Sequence, residues 1–558
     1  MVSRSIGFSA IVGCLLVFAA GYAAASSVPV GKVEKRSAED IIAARVRPDN
    51  LSELSYSEDS PFGVCHLGAP ARYMNNLGVS WCRIGVPEFE IKEAERLAEK
   101  EDEAIPFSDE AKEILKDGGE ILGLINFKGD AEKWANSDEE SYLPVVRTCT
   151  YKMVRTHRTR IDVWEVMNEP DLFVKALSPK QVAAITNTAV MAAREADPDC
   201  TILSPCPTSI AYMEKLLQMG VGDMVDGFAV HIYAQGVSFS KQMELWKEMF
   251  AEYGYGDKPI WITETGWRSD VEHGLEAEEL RQQWYENIEA QARYVVTSHV
   301  RLRAAGYQKL MWYAYTDVGD VHAAENWGLL WKSKRAGWPR KAKWTLDAGD
   351  WAVKPSGLAY HAMVEQLQGE DMKRELSAGI DTHMFEFSGP GGEVVVAWSD
   401  RQMVYPVPVR GKALQVTDLY GKQHTFEAQN GTVNLELTGP PVYIKGASVD
   451  KLEPHRCLVK WLEDLILEAG QTEAVQATLQ NESGEPFTGR LVFTGSPGIS
   501  VMPGSADVSL KTDGEKEIDV SVRVAPGLPR GRFALRCILH RGDRLPPAVI
   551  EHSVKVTN

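Results

Sequence analysis

The chain has 558 residues, 44 % hydrophobic and 25 % charged, with a formal net charge of −18. At about 100–200 residues per domain, or about 250 for an α/β barrel, this length gives roughly two to four domains. An acidic surplus repels phosphate backbones, so nucleic acid is not an expected partner, and neutral or cationic ligands suit the chain better.

The N-terminus has a single basic residue, Arg4, and then an apolar run from Ile6 to Ala20. Ala23-Ala24-Ala25 offers a small-residue cleavage site before Ser26. This is the pattern of a secretory signal over residues 1–25, which places the mature protein outside the cytoplasm, secreted or periplasmic. A membrane span needs about 20 apolar residues, and no segment reaches that length, so no transmembrane span is expected once the signal is removed. Of eight cysteines, Cys14 leaves with the signal, and an odd number remains. Cys65, Cys82, Cys149, Cys200 and Cys206 are scattered through the first part of the mature chain, and several of them lie in apolar runs and read as buried thiols. Cys457 and Cys537 sit in strand-like runs of the last segment, where one bridge between them is possible. Residues 26–57 are polar and charged, and read as a leader or a wrapping segment before the first domain.

Over residues 58–369, short apolar runs alternate with longer amphipathic stretches. The runs are Phe62–His66, Val79–Val86, Ile121–Phe127, Ile161–Asn168, Thr201–Pro205, Gly227–Tyr233, Pro259–Glu264 and Leu310–Thr316. Glu90–Lys116, Ala131–Thr156, Pro179–Glu195 and Leu275–Ala304 suit helices. Strand and helix in alternation predict a parallel sheet, and eight repeats predict an α/β fold closed as a (β/α)8 TIM barrel. No G-x-G-x-x-G follows the first strand, which argues against a dinucleotide site. Lys354-Pro355-Ser356 opens a final helix, because proline fits its first turn. From residue 370 the period changes to alternation, with Gly and Pro between short runs. Two all-β sandwich-like domains are predicted, at 370–448 and 449–558. Ile518, Val520, Val522 and Val524 alternate with polar residues as a half-buried strand does.

Two segments carry chemistry. Val163-Trp164-Glu165-Val166-Met167-Asn168-Glu169-Pro170 ends the fourth strand on Asn-Glu. Pro259-Ile260-Trp261-Ile262-Thr263-Glu264-Thr265-Gly266-Trp267 ends the seventh near Glu264. Barrel active sites are built at the C-terminal ends of the strands, and strands four and seven face each other across the mouth. Two facing carboxyls suit acid/base and nucleophilic work at one bond. Either motif alone is a common turn. Together, at the ends of the fourth and seventh of eight strands, they point to a catalytic pair.

These motifs resemble glycoside hydrolase clan A, the retaining (β/α)8-barrel glycosidases, with the nearest look to the β-xylosidase and α-iduronidase family. The resemblance covers about residues 58–368. It implies that Glu169 is the acid/base and Glu264 the nucleophile in hydrolysis of an oligosaccharide or polysaccharide. It implies that Asn168 binds the sugar 2-hydroxyl, that Arg83 in Trp81-Cys82-Arg83 supports the nucleophile, and that His231 and Tyr233 form the strand-six His-x-Tyr. Strand eight departs from the pattern, which often has a tryptophan four residues before an aspartate. Here Tyr313 precedes Asp317 by four, and parity favours Tyr313 over Trp312 as the sugar floor. Arg83, Asn126, Asn168, His231, Tyr233 and Tyr313 are thus the substrate-side candidates. Arg83 also reads as an ordinary ion-pair residue, His231 as a core histidine, and Asn126 equally as a cap or a ligand. Trp134, Trp261, Trp327 and Trp331 read as core or as sugar-stacking residues. The implied mechanism needs no cofactor, and no metal motif is present. The rival readings are a non-catalytic glycan-binding or surface protein on a degenerate barrel, and a transglycosylase that uses the same site.

Overall fold

The computed structural model describes residues 30–557 except 45, 55–56, 67, 86–88, 101–103, 129–130, 234–235, 272–275, 318–325, 333–350, 377–381, 401, 453–456, 462–464, 482–485, 513 and 541–547. The predicted signal segment, Cys14, Trp338 and Trp344 lie outside the described residues. Among the described residues no helix is long and apolar enough to cross a membrane.

Eight parallel strands form one sheet: β1 (Phe62–Cys65), β2 (Trp81–Gly85), β3 (Glu120–Ile125), β4 (Val163–Val166), β5 (Thr201–Leu203), β6 (Phe228–His231), β7 (Ile260–Thr265) and β8 (Leu310–Trp312). Their order is β5-β4-β3-β2-β1-β8-β7-β6. A parallel bridge between Leu203 and Gly227 joins the two ends, and the sheet closes. All eight predicted runs supply a strand.

Alternation explains the composition of those strands, since one side of each faces the barrel interior and the other the helices. Trp81, Leu122, Val163, Leu203, Ala229, Trp261 and Met311 fill the interior as one cluster. Trp81 meets Trp261 edge to face at 5.4 Å, which plugs the end away from the mouth. Their neighbours Cys82, Ile121, Trp164, Ile202, Val230, Ile262 and Trp312 belong to the shell under the helices.

Local signals set the helices. Ser178 caps Pro179–Ala196 in a capping box with Gln181, and Pro179 occupies the first turn. Ser108 caps Asp109–Lys116. The predicted stretch Glu90–Lys116 is two helices, Ile91–Ala98 and Asp109–Lys116, because Pro106 between them breaks the ladder. The final helix, Pro355–Leu367, begins on the proline.

After the barrel, a six-stranded sheet runs from Asp371 to Lys445. Its central strands are buried on both faces. Phe385, Phe387, Val394, Val396, Trp398 and Tyr443 join the barrel's core, while Met384, Val395, Ala397, Val442 and Ile444 face a separate core of the β domain. A strand with two buried faces reads as a continuous apolar run, as Val394-Val395-Val396-Ala397-Trp398 does. Val449 and Leu452 pack into that same core. The last unit pairs a four-stranded with a five-stranded sheet, and Ile518, Val520, Val522 and Val524 all point into its core. Cys457 pairs with Asn481 in the first of these sheets and Cys537 with Phe493 and Ile550 in the second, so the two cysteines stand on different sheets.

The described residues of the leader run along both the β domain and the barrel. Val30–Gly31 adds a parallel strand beside Thr432–Leu437. Arg36 grips Asp418 with Nε and Nη2 at 3.1 and 2.9 Å. Ala38 and Ile42 bury against Trp284, Ile288 and Trp331.

Candidate active site

Backbone irregularities aim the two glutamates. Along β7, Trp261 points inward and Ile262 outward, so strict alternation would send Glu264 out among the helices. The register slips: Ile262 lies opposite Val230, but Glu264 lies opposite His231. One extra residue on β7, Thr263, makes a β-bulge and turns Glu264 inward. The Cys65 thiol donates to the bulge carbonyl, Thr263 O, at 3.1 Å. On β4, Met167 has φ 62° and joins Val166 in the outer core, which leaves Asn168 to face the mouth. Glu169 follows with φ 40° and then caps the short helix Pro170–Phe173. Left-handed backbone at two non-glycine residues is rarely adopted and clusters at functional sites.

The side chains converge on Arg83, which is 2 % exposed. Its Nε and Nη2 donate to the two oxygens of Glu165 at 2.8 and 2.6 Å. Nη2 also reaches Asn168 Oδ1 at 2.7 Å, and Nη1 reaches Glu264 Oε1 at 2.7 Å. The Tyr233 hydroxyl donates to Glu264 Oε2 at 2.6 Å. His231 Nδ1 lies 2.8 Å from Glu169 Oε1 and 3.7 Å from Glu264 Oε2, between the two carboxyls. One oxygen of Glu169 and one of Glu264 lie within 4.8 Å of each other.

Burial pushes the Glu264 carboxyl up, but His231, Arg83, the Tyr233 hydroxyl and His66 together pull it below its ordinary value. Burial, and then the Glu264 charge, push the Tyr233 hydroxyl well above its ordinary value, so it remains a donor. The site therefore holds an ionised carboxylate with both oxygens bonded.

The sequence candidates meet in one place, with two refinements. Arg83 does not face a substrate: it lies beneath the carboxylates, and its N–H groups go to protein oxygens. Asn126 accepts from the Asn168 backbone N–H at 3.2 Å, so it steadies the Asn-Glu turn. Tyr313 is half-buried at the mouth, while Trp312 is fully buried with its indole N–H on Trp327 O. Tyr313, Tyr233 and Trp327 meet edge to face, with ring centroids 5.3–6.5 Å apart. Gly266 permits this approach, since a Cβ there would lie 2.4 Å from Tyr313 O and 3.0 Å from the Trp327 ring. Trp134, Trp261 and Trp331 are core residues.

Sequence reasoning passed over two neighbours. Glu165 is fully buried. Its signal is an acidic residue inside an apolar strand, with the inward parity of Val163. His66, at the end of β1 with φ 51°, meets Tyr313 edge to face at 5.8 Å. It is a lone polar residue at a barrel-strand end, on the face where sites are built.

Among the described residues two triplets have the spread of a metal site: Glu169 with His231 and Glu264, and Glu165 with Cys206 and His231. Neither donor set suits a cation. Arg83 and Tyr233 already take both oxygens of Glu264, and Arg83 takes both of Glu165. Burial pushes the Cys206 thiol well above its ordinary value, so it is no thiolate ligand.

Comparison with known proteins bears on the fold and on the segment that carries the two glutamates. The family model described as the glycosyl hydrolase catalytic core matches residues 145–302, which include both glutamates. No curated protein matches the chain. Among solved structures, a family 39 glycoside hydrolase from Bacteroides cellulosilyticus WH2 superposes with a TM-score of 0.53 at 19 % identity, covering 71 % of this chain and 82 % of that one. A family 39 β-xylosidase from Caulobacter crescentus gives a TM-score of 0.47 at 15 % identity, over 71 % and 97 % of the two chains. The first of these structures shares the barrel and β-sandwich architecture. Residues 145–302 thus match a glycosyl hydrolase catalytic core, set in a barrel whose fold resembles that of a family 39 glycoside hydrolase.

Proposed function

We propose that the chain hydrolyses an O-glycosidic bond of an oligosaccharide or polysaccharide with net retention, outside the cytoplasm. Glu264 attacks the anomeric carbon. Glu169 gives its proton to the departing oxygen, then takes one from the water that hydrolyses the glycosyl ester. One observation carries the reading: an oxygen of each carboxyl within 4.8 Å, on either side of a solvent-facing mouth. Direct attack needs carboxyls about 5–5.5 Å apart, whereas a gap of about 6.5–9.5 Å leaves room for a water and inverts the centre.

The surroundings fit these roles. Tyr233 and Arg83 keep Glu264 ionised and fixed in direction, as a nucleophile requires. His231 holds Glu169. Asn168 gives its oxygen to Arg83, and its amide N–H groups remain for a sugar hydroxyl beside the reacting carbon. Aromatic faces at Tyr313, Tyr233 and Trp327 suit the apolar face of a sugar ring.

The test is Glu264→Ala with an activated aryl glycoside. Turnover should vanish, and azide should restore it as a glycosyl azide of inverted configuration. Normal activity in that variant, or an azide of retained configuration, overturns the assignment.

A further inference from the structure

We propose that Glu165 is a positioning residue: as the permanent counter-charge of Arg83, it lets Glu264 give up its own charge when it becomes an ester. The inference rests on the reading of Glu264 as nucleophile, and it concerns a residue that never touches substrate.

Charge accounting leads there. Arg83 carries one positive charge beneath two carboxylates, Glu165 and Glu264, and all three side chains are buried. When Glu264 attacks, it forms a C–O bond to the anomeric carbon. The bond to the leaving oxygen breaks with its electron pair, and that oxygen takes the Glu169 proton. The Glu264 carboxylate has become a neutral ester. Without Glu165, Arg83 would then be a buried cation bonded to no carboxylate, since the charge that Glu169 gains by losing its proton lies at His231, and such an arrangement costs heavily in a low-dielectric interior. Glu165 prevents this. It holds Arg83 in a fork, through Nε at 2.8 Å and Nη2 at 2.6 Å, and reserves a single Nη1 contact for Glu264. Bidentate contact makes Glu165 the stronger partner. Arg83 thus orients the nucleophile without monopolising its charge.

The other groups facing Glu264 do not supply this function. His66 comes from the end of β1, His231 and Tyr233 from β6, and Glu169 from β4. None of them bonds to Arg83, and among the described residues the one other oxygen on Arg83 is the neutral Asn168 Oδ1. Cys65, also close by, is an un-ionised thiol.

The experiment compares Glu165→Gln and Glu165→Asp with the parent chain. Two quantities are read: the acid limb of kcat/KM, and the rate at which a 2-deoxy-2-fluoro glycoside with a dinitrophenolate leaving group esterifies Glu264. In Glu165→Gln the whole charge of Arg83 falls on Glu264. Its carboxylate is over-stabilised, so the acid limb should move down by about one pH unit and esterification should slow at least about tenfold. Glu165→Asp keeps the charge, so its acid limb should stay at the parent's position even where shorter reach lowers the rate. An acid limb that is unmoved or moves up in a folded Glu165→Gln chain overturns the proposal, and so does a downward shift in Glu165→Asp. If Glu165→Gln does not fold, the aspartate variant decides alone. A parent chain that gives no ester on Glu264 overturns this inference together with the function it rests on, whereas an ester with unchanged variants overturns the inference only.

Discussion

Tyr233 donates its hydroxyl to Glu264 Oε2 at 2.6 Å, the oxygen that Arg83 leaves open. The two donors approach from different strands, β6 and β2, and each fixes one end of the carboxylate. A hydrogen bond to an ionised group contributes about 1.5–3 kcal/mol. Removing it destabilises the carboxylate but also frees its direction, and a misplaced nucleophile can cost about a hundredfold, so Tyr233→Phe should lower kcat roughly ten- to a hundredfold through lost orientation. The sign of its pH effect also follows. Tyr233 is one of the groups that pull the Glu264 carboxyl down against burial. Without it the carboxyl rises, and the acid limb of kcat/KM should move to higher pH, opposite to Glu165→Gln. A full pH profile of both variants reads the two signs.

The aromatic group at the mouth makes a second prediction. Tyr313 sits edge-on to His66, Tyr233 and Trp327. Its half-buried ring stands at the mouth, where a sugar would lie. Tyr313→Ala should cost kcat/KM roughly tenfold or more, the worth of one aromatic contact of about 1.5 kcal/mol. Tyr313→Phe keeps the ring and should recover most of it. Steady-state kinetics on the same aryl glycoside decide, and equal losses in both variants would assign the effect to the hydroxyl.

How far the sequence foretold this site depended on which rule each residue obeys. Parity alone selected Tyr313 over Trp312, and Tyr313 lies at the mouth while Trp312 is buried because β8 runs without a bulge. The same rule would have turned Glu264 outward, had the bulge at Thr263 not intervened. Nothing in Ile262-Thr263-Glu264 announces a bulge: it is set by the offsets with β6 and β8, which are tertiary. Met167 is similar, a left-handed methionine that no propensity would suggest. The glutamates were found because a motif at a strand end is visible in one dimension. Glu165 was passed over because its meaning lies in Arg83, two strands away. The β units were legible as alternation, but only the packed sheet shows why Val394–Trp398 is apolar on both faces.

Two buried histidines set a third expectation. His299 is packed among Phe62, Trp312 and Tyr360, and His157 against Phe107 and Trp164. Burial pushes each down to about 4. An unfolded chain takes up a proton on each below its ordinary value near 6.5, while the folded chain takes none until about 4. The unfolded state then binds more protons, so stability should fall as pH drops from about 6.5 to about 4. Urea midpoints at pH 7, 6 and 5 should decline. His299→Phe, which keeps a ring and cannot ionise, should flatten that decline. An equal slope in this variant would place the acid sensitivity elsewhere.

Asp317 and Lys354 give the last expectation. Lys354 Nζ lies 2.9 Å from both oxygens of Asp317 and 3.0 Å from Ser269 Oγ, and both members of the pair are buried. Asp317 Oδ1 also accepts from the Gly328 N–H at 2.7 Å, next to Trp327. Burial pulls the lysine below its ordinary value while Asp317 pushes back. Removing one partner strands the other charge, so Asp317→Asn or Lys354→Met should each destabilise the barrel by about 3–5 kcal/mol. Replacing both with apolar residues of similar volume should restore most of that loss, because the desolvation cost disappears with the attraction. Differential scanning calorimetry of the two single variants and the double variant measures this coupling. The pair also anchors the segment that carries Trp327 into the mouth. In the single variants KM should therefore rise more than kcat falls, since the aromatic wall loosens while Glu169, Glu264 and Arg83 stay on their strands. A loss confined to kcat would show that Asp317 and Lys354 act on the carboxylates and not on the wall.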